Sequence, residues 1–459
     1  MPDFTSLLQK QRTYFKDKHT IPVEFRLEIL KKLREVLVAR EKDITAALYA
    51  DFKKPEFEGV ITETAYTLNE LDLTIKKLTQ WARPKKVSSA FINFPSTDYL
   101  YSEPYGVTLI ISPWNYPYQL AMGPLIGAIA AGNTVVLKPS EYSAATSQLL
   151  EELITEVFDP AHAKVVQGGV EESKALLDLE WDYIFFTGSV NVGRIVAKAA
   201  APHLTPCTLE LGGKNPCIID ASAKIELAAK RITWGKFLNA GQTCIAPDYI
   251  LVEQSVKEKF IAAMKKEIEE AYGNTPEASN DYARMISAKH FERMQELIEG
   301  ETVLFGGQSN ANDHYIAPTL LDEPKRDSAV MEDEIFGPIL PILSYSTTED
   351  LDELINSYGK PLSLYVFSED AAFAEEMITR YSFGGGTVND TIVHFTNKKL
   401  PFGGVGNSGY GAYHGKRTFD TFSHKKAITK RGTWLDIPVR YAPYSAKKLK
   451  LIRKSLKWF

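Results

Sequence analysis

Val107-Thr-Leu-Ile-Ile-Ser-Pro-Trp-Asn-Tyr-Pro-Tyr-Gln-Leu-Ala-Met-Gly-Pro-Leu-Ile-Gly-Ala-Ile-Ala-Ala-Gly-Asn-Thr-Val-Val-Leu137 contains no charged residue. Its length would suit a membrane span, but Pro113, Pro117, Pro124, Asn115 and Asn133 interrupt it. The interruptions divide it into an apolar run (107–111), a helix candidate (120–131) and a second run (134–137), which reads as buried α/β core. The same alternation continues outward. Residues 147–158 read as helix, 163–166 and 183–186 as strands, 216–219 as strand, 224–238 as helix, 249–252 as strand and 256–272 as helix. Strands alternating with helices predict βαβ units and a mostly parallel sheet.

On the N-terminal side, residues 24–50 and 57–82 space their apolar positions helically, as in Leu27, Leu30, Leu33 and Leu37, and Pro84 ends the second helix. Two β-rich runs, 87–94 and 99–102, flank Pro95-Ser-Thr-Asp98 and predict a hairpin. A hairpin stranded between α/β regions needs a covering surface, which suggests a subunit contact; residues 427–429 predict an edge strand. The 459 residues suggest roughly two or three domains. A net charge of −5 argues against nucleic acid as a partner. The three cysteines, Cys207, Cys217 and Cys244, form no metal or redox motif and suit a reducing compartment. The polar N-terminus has no signal-peptide core, so a soluble, cytoplasmic protein without a bound metal is expected.

Several short motifs carry chemistry. Gly241-Gln-Thr-Cys244 places a thiol in a loop between a helix and a strand, where a nucleophile would stand, although free cysteines are more often inert core residues. Phe186-Thr-Gly-Ser189, continuing to Gly193, sits where a strand enters a helix. Helix N-terminal amides favour an anion such as a pyrophosphate, but the full glycine fingerprint is missing. Lys138-Pro-Ser-Glu141 closes a strand at the carboxyl end, where its lysine and glutamate could bind ribose hydroxyls or merely form a solvated turn. Glu210-Leu-Gly-Gly-Lys214 offers either a general base in apolar surroundings or a structural glutamate paired with Lys214. Asn115 could donate to an oxyanion or satisfy its own turn. Glu334 and Phe336 could contact a cofactor, activate water or simply form an acidic turn.

Together with Ser112-Pro-Trp-Asn115, Glu334-Ile-Phe-Gly-Pro338 and Pro401-Phe-Gly-Gly404, these motifs follow one another at spacings that resemble the NAD(P)-dependent aldehyde dehydrogenase superfamily over nearly the whole chain. The short N-terminus, Tyr413-His-Gly-Lys416 and Phe422-Ser-His424 are similar to its class 3, the fatty and aromatic aldehyde group. The resemblance implies an α/β fold in three parts: an NAD(P)-binding Rossmann-like domain (1–82 and 104–206), a catalytic domain (207–402) and bridging strands (83–103 and 424–440) that pair subunits as a homodimer. It implies that Cys244 attacks the aldehyde, that Asn115 and the Cys244 amide hold the oxyanion, and that Glu210 activates water. Cofactor contacts fall to Lys138, Glu141, Gly188, Ser189, Gly193, Glu334 and Phe336, with Glu334 also a rival base. NAD is the expected cofactor, with NADP as an alternative that Glu141 should disfavour by charge.

The tail, 441–459, holds six Lys/Arg and no acid. Leu449, Ile452, Leu456 and Phe459 share a helical face, so either a frayed terminus or a peripheral contact with an anionic membrane is expected. Two rival functions remain: a thiol-dependent esterase or hydrolase, which leaves Lys138, Glu141 and Gly188 without a task, and a non-catalytic, membrane-associated scaffold.

Overall fold

The computed structural model describes residues 2–455. The uncharged stretch at 107–137 forms strand Val107–Ile111, helix Gln119–Ala131 and strand Thr134–Lys138. These lie inside a six-stranded sheet ordered Gly409–Tyr410, Cys207–Leu211, Tyr183–Gly188, Val107–Ile111, Thr134–Lys138, Ala163–Val165. All neighbours are parallel except the short edge strand Gly409–Tyr410. Helices cover both faces of such a sheet, which is why its central strands are apolar on both sides. Helix Gln119–Ala131 is buried almost all round because it lies between the sheet and helices Val23–Ala39 and Ala65–Ala82. No helix among the described residues is long and apolar enough to cross a membrane.

A second sheet has seven strands, ordered Val303–Phe305, Thr319–Asp322, Ile339–Tyr345, Tyr249–Glu253, Pro216–Ile219, Ser363–Phe367, Gly385–Val388. Only its edge strand Val303–Phe305 is antiparallel. A third, three-stranded antiparallel sheet joins Lys85–Val87, Ser96–Pro104 and Ser423–Arg431.

The structure corrects several expected boundaries. The division at 206/207 falls one strand early, since Cys207–Leu211 hydrogen-bonds to Tyr183–Gly188 and completes the first sheet. The chain also returns to that sheet after residue 402, through Gly409–Tyr410. The expected hairpin is displaced: its first strand is only Lys85–Val87, a 3-10 turn occupies Phe91–Asn93, and the long central strand is Ser96–Pro104. The edge strand expected at 427–429 extends over Ser423–Arg431, in register with Ala427 opposite Leu100, and no strand continues through 432–440.

The helix expected at 24–50 is broken at Arg40, whose guanidinium turns to Asp43 and, at 3.2 Å, to Glu152. The one expected at 57–82 contains a π-helical turn, Val60–Thr64, before helix Ala65–Ala82. In the tail, helix Ala446–Ser455 exposes Leu449 and Leu451; Leu456 and Phe459 lie outside the described residues.

Candidate active site

Parallel register brings the carboxyl ends of four strands of the first sheet to one edge. Ile111 pairs with Lys138 and with Phe186, and Gly188 pairs with Leu211. Everything that follows these strands therefore converges: the Asn115 loop, Lys138 to Glu141, the Gly188 to Gly193 turn, and Gly212-Gly213. Ligands of open α/β sheets bind at this edge.

Lys138 is buried, and burial lowers its ammonium pKa while Glu141 and Glu172 oppose the shift. Its Nζ donates to the Pro139 carbonyl at 2.7 Å and lies 3.8 Å from the exposed Glu141 carboxylate. Ser189 caps helix Val190–Ala200 through its Oγ, which accepts from the Val192 amide at 3.4 Å. Gly188 is not in a left-handed conformation. Its value is space: a Cβ there would stand 2.6 Å from the Phe186 ring. Gly193 likewise lets the helix approach the sheet, since a Cβ would meet Leu211 at 2.7 Å. The strand-to-helix turn at the sheet's carboxyl edge, with the helix N-terminus after Ser189, and a buried lysine beside an exposed acid fit a dinucleotide.

Cys244 follows three successive left-handed residues, Asn239 (φ 57°), Ala240 (φ 51°) and Gly241 (φ 74°). Such a turn persists only if its surroundings over-determine it. Asn239 Nδ2 donates to the Asn115 and Gln242 carbonyls at 2.9 and 3.1 Å. Gln242 Nε2 reaches the Asn239 and Arg284 carbonyls, both at 3.0 Å. Asn215 Nδ2 donates to the Cys244 carbonyl at 2.8 Å and to that of Ala246 at 3.0 Å. A Cβ at Gly241 would lie 2.3 Å from the Gly337 carbonyl oxygen. Gly241→Ala is expected to destabilise the fold by about 2 kcal/mol or more, from backbone strain plus overlap, which thermal unfolding checks.

The thiol is half-buried. Burial pushes it up to about 12, the negative charges of Glu334 and Glu210 add to that, and the Cys244 and Ile245 amides oppose it. It is therefore protonated at neutral pH and needs a base or a nearby cation to become a thiolate. Asn115 is buried and donates through Nδ2 to the Gln242 carbonyl at 3.0 Å, which joins its loop to that of Cys244.

Glu210 is only 2% exposed, and neither carboxyl oxygen has a hydrogen-bond partner. Burial alone raises its pKa well above the usual carboxylate range. The structural partner suggested by the sequence is otherwise engaged: Lys214 Nζ binds Asp248 at 2.8 Å and the Val330 carbonyl at 2.8 Å. An unpaired buried carboxyl is costly in a structural position and common in a working one. Glu334 contrasts with it. Its carboxylate lies on the Gly212-Gly213 backbone, where a Cβ at Gly212 would fall 2.1 Å from Oε2. Burial and Asp248 raise it to about 8, against the Gly213 amide, Arg293 and Lys214. Arg293 also clamps the backbone there, donating to the Glu334 and Ile335 carbonyls at 2.6 and 2.5 Å. Phe336, in a left-handed conformation (φ 53°), meets Trp114 edge-on at 5.3 Å.

A narrow, mainly apolar pocket opens on Cys244, with Tyr116, Leu120, Ile392, Phe395, Phe402 and His414 in its walls. The His414 imidazole is held neutral, burial lowering it to about 3. Phe402 and His414 lie in motifs quoted above, but nothing in the sequence places these wall residues around one pocket, because they come from separated segments.

The chain's residues 2–428 match the sequence profile of the aldehyde dehydrogenase family. The chain belongs to that family. Among relatives, a 4,4'-diaponeurosporen-aldehyde dehydrogenase of Staphylococcus aureus is 48% identical, over 95% of each chain. A canine enzyme named aldehyde dehydrogenase, dimeric NADP-preferring, is 44% identical over 97% of this chain and 99% of its own. A rat aldehyde dehydrogenase family 3 member A2 is 45% identical over 96% and 92%. The solved structure of a substrate-bound state of Staphylococcus aureus AldH superposes with a TM-score of 0.97 at 46% identity, covering 99% of this chain and 100% of that one. The expected aldehyde dehydrogenase fold and the class 3 resemblance therefore both hold, and the chain is an enzyme of the aldehyde-oxidising family.

Proposed function

We propose that this enzyme oxidises apolar aldehydes, aliphatic of medium or long chain or aromatic, to carboxylic acids with NAD(P)+, using Cys244 as the nucleophile. The observation that carries the proposal is an uncharged, apolar pocket ending at a half-buried thiol, with an unpaired carboxyl in the same field. The Cys244 sulfur adds to the carbonyl carbon as its proton passes to solvent water, and the Asn115 amide and the Cys244 backbone N–H receive the developing oxyanion. A nicotinamide cofactor, held by Lys138, Glu141 and the helix after Ser189, would supply the hydride acceptor that turns this adduct into a thioester. The resulting thioester is hydrolysed by a water whose proton Glu210 accepts, releasing the acid and regenerating the thiol. Glu210 is favoured over Glu334 as that base because Glu334 is tied by the Gly213 amide, which suits a ribose contact.

Lys138 and Glu141 would hold the adenosine ribose, and the helix after Ser189 the pyrophosphate. The exposed Glu141 carboxylate supports NAD over NADP, although the canine relative bears the words NADP-preferring. That relative's name also supports a homodimer, for which the three-stranded sheet is the natural surface. Hexanal, a long-chain aldehyde and benzaldehyde, each with NAD+ and NADP+, test the reading by absorbance at the reduced-nicotinamide band. No reduction with any pair would sink it.

The basic tail, with Leu449 and Leu451 exposed on its helix, supports peripheral contact with an anionic membrane by an otherwise cytoplasmic enzyme. Full-length protein should pellet with phosphatidylserine vesicles and a chain ending at residue 440 should not; equal pelleting rules the contact out.

A further inference from the structure

Residues 54–63 play no part in the chemistry above, yet they touch both loops that do. Lys54 follows the left-handed Lys53 (φ 53°) that ends helix Glu41–Phe52. Its ammonium pairs with Glu63 at 2.7 Å with neither side chain exposed to solvent, and it sits 3.9 Å from the centre of the Tyr116 ring. Glu63 belongs to the π-helical turn Val60–Thr64. A π-turn inserts one residue and re-aims the side chains that follow, and such turns concentrate at functional sites. The second Glu63 oxygen accepts from the Tyr118 and Gln119 amides at 2.9 and 3.0 Å, a few residues beyond Asn115.

Glu58, also buried, accepts from the Asn239 amide at 2.9 Å, at the start of the left-handed turn leading to Cys244. The two loops are then tied to each other, by Asn239 to the Asn115 carbonyl at 2.9 Å and by the Tyr116 and Thr243 hydroxyls at 2.7 Å.

A buried lysine with two buried carboxyls is a poor way to stabilise a helix junction, because apolar side chains of similar volume would avoid the desolvation. Beyond Lys54, the Glu63 carboxylate accepts from the N-cap and first amides of helix Gln119–Ala131, at the exit of the Asn115 loop, and Glu58 accepts from the Asn239 amide in the loop leading to Cys244, so both carboxyls hold the backbone that flanks the two loops. We infer that Lys54, Glu58 and Glu63 are positioning residues that set the Asn115 loop against the Cys244 loop, an inference that rests on the aldehyde-oxidising reading above.

Glu63→Gln, which keeps the shape and unpairs Lys54, tests it in the full-length enzyme. Misplacing reacting groups by about an ångström can cost about 100-fold, so kcat should fall by about 10- to 100-fold while KM for NAD+ stays within about twofold. In an Asn115→Ala background the same change should cost less than about threefold, because coupled residues are not additive. An equal loss in both backgrounds, or an unchanged kcat, overturns the inference; where Glu63→Gln does not fold, Glu58→Gln runs the same cycle. Hydrogen–deuterium exchange gives a readout independent of turnover. Glu63→Gln should speed exchange in both 115–119 and 239–244, although Glu63 touches only the first. Faster exchange confined to 115–119 refutes the coupling, whereas wild-type protein inert toward every aldehyde defeats the functional reading alone.

Discussion

Cys244→Ala is expected to abolish aldehyde-dependent NADH formation, lowering kcat by about 10⁴-fold or more, since no other group on the pocket wall can form the covalent intermediate. The remaining cysteines are not substitutes: Cys217 is buried in strand Pro216–Ile219, and Cys207 Sγ lies against the Tyr410 hydroxyl at 2.9 Å. Alanine removes one sulfur from a loop held by Asn215, Asn239 and Gln242, so thermal stability and NAD+ affinity should change little. Steady-state rates, with a fluorescence titration of NAD+ on the variant, check both halves of the expectation. NADH formation that survives the substitution would require a different nucleophile.

The second large effect is at Glu210. Glu210→Gln should leave thiol attack and hydride loss largely in place and slow thioester hydrolysis by about 10²- to 10⁴-fold, the range for loss of a general base. Rapid mixing should then show a burst of NADH of about one equivalent per active site and a stalled steady state, while Glu334→Gln, on the ribose assignment, should raise KM for the cofactor without a burst. The pH dependence has a definite sign. Burial raises the Glu210 pKa and pushes Cys244 up to about 12, so both working forms, carboxylate and thiolate, become more populated as pH rises. The wild-type rate should therefore climb from neutral into alkaline solution. In Glu210→Gln the carboxylate's contribution to that climb disappears. A wild-type rate that falls over the same range would contradict the assignment.

Much of the site was legible because its residue types are unusual for their surroundings. Cys244 in a Gly-Gln-Thr loop, Asn115 between prolines and an acid between leucines at Glu210 each break a local pattern, and a break inside an otherwise consistent sequence marks a candidate position. Their assembly was legible because parallel strands deliver all their carboxyl ends to one edge. Lys54, Glu58 and Glu63 were not legible. Within Lys54-Pro-Glu-Phe-Glu-Gly-Val-Ile-Thr-Glu63 the charges read as a solvated helix face, and only the docking of two loops from elsewhere in the chain buries them. Strand Ser423–Arg431 was half-legible for a related reason: Lys425, Lys426, Lys430 and Arg431 disguise it, and its partner Ser96–Pro104 lies far away in the chain. The division at 206/207 failed because Cys207–Leu211 has the same local pattern whichever sheet it joins.

The short edge strand Gly409–Tyr410 pairs Gly409 with Glu210 itself. During synthesis, Glu210 leaves the ribosome about 200 residues before the backbone that will cover its strand, at a pace of roughly 5–20 residues per second. For that interval the strand has an open edge, its backbone groups unpaired on that side. The last part of the chain thus closes the edge of the strand that carries Glu210, and a chain that stops short of residue 409 leaves that edge open for pairing with another chain.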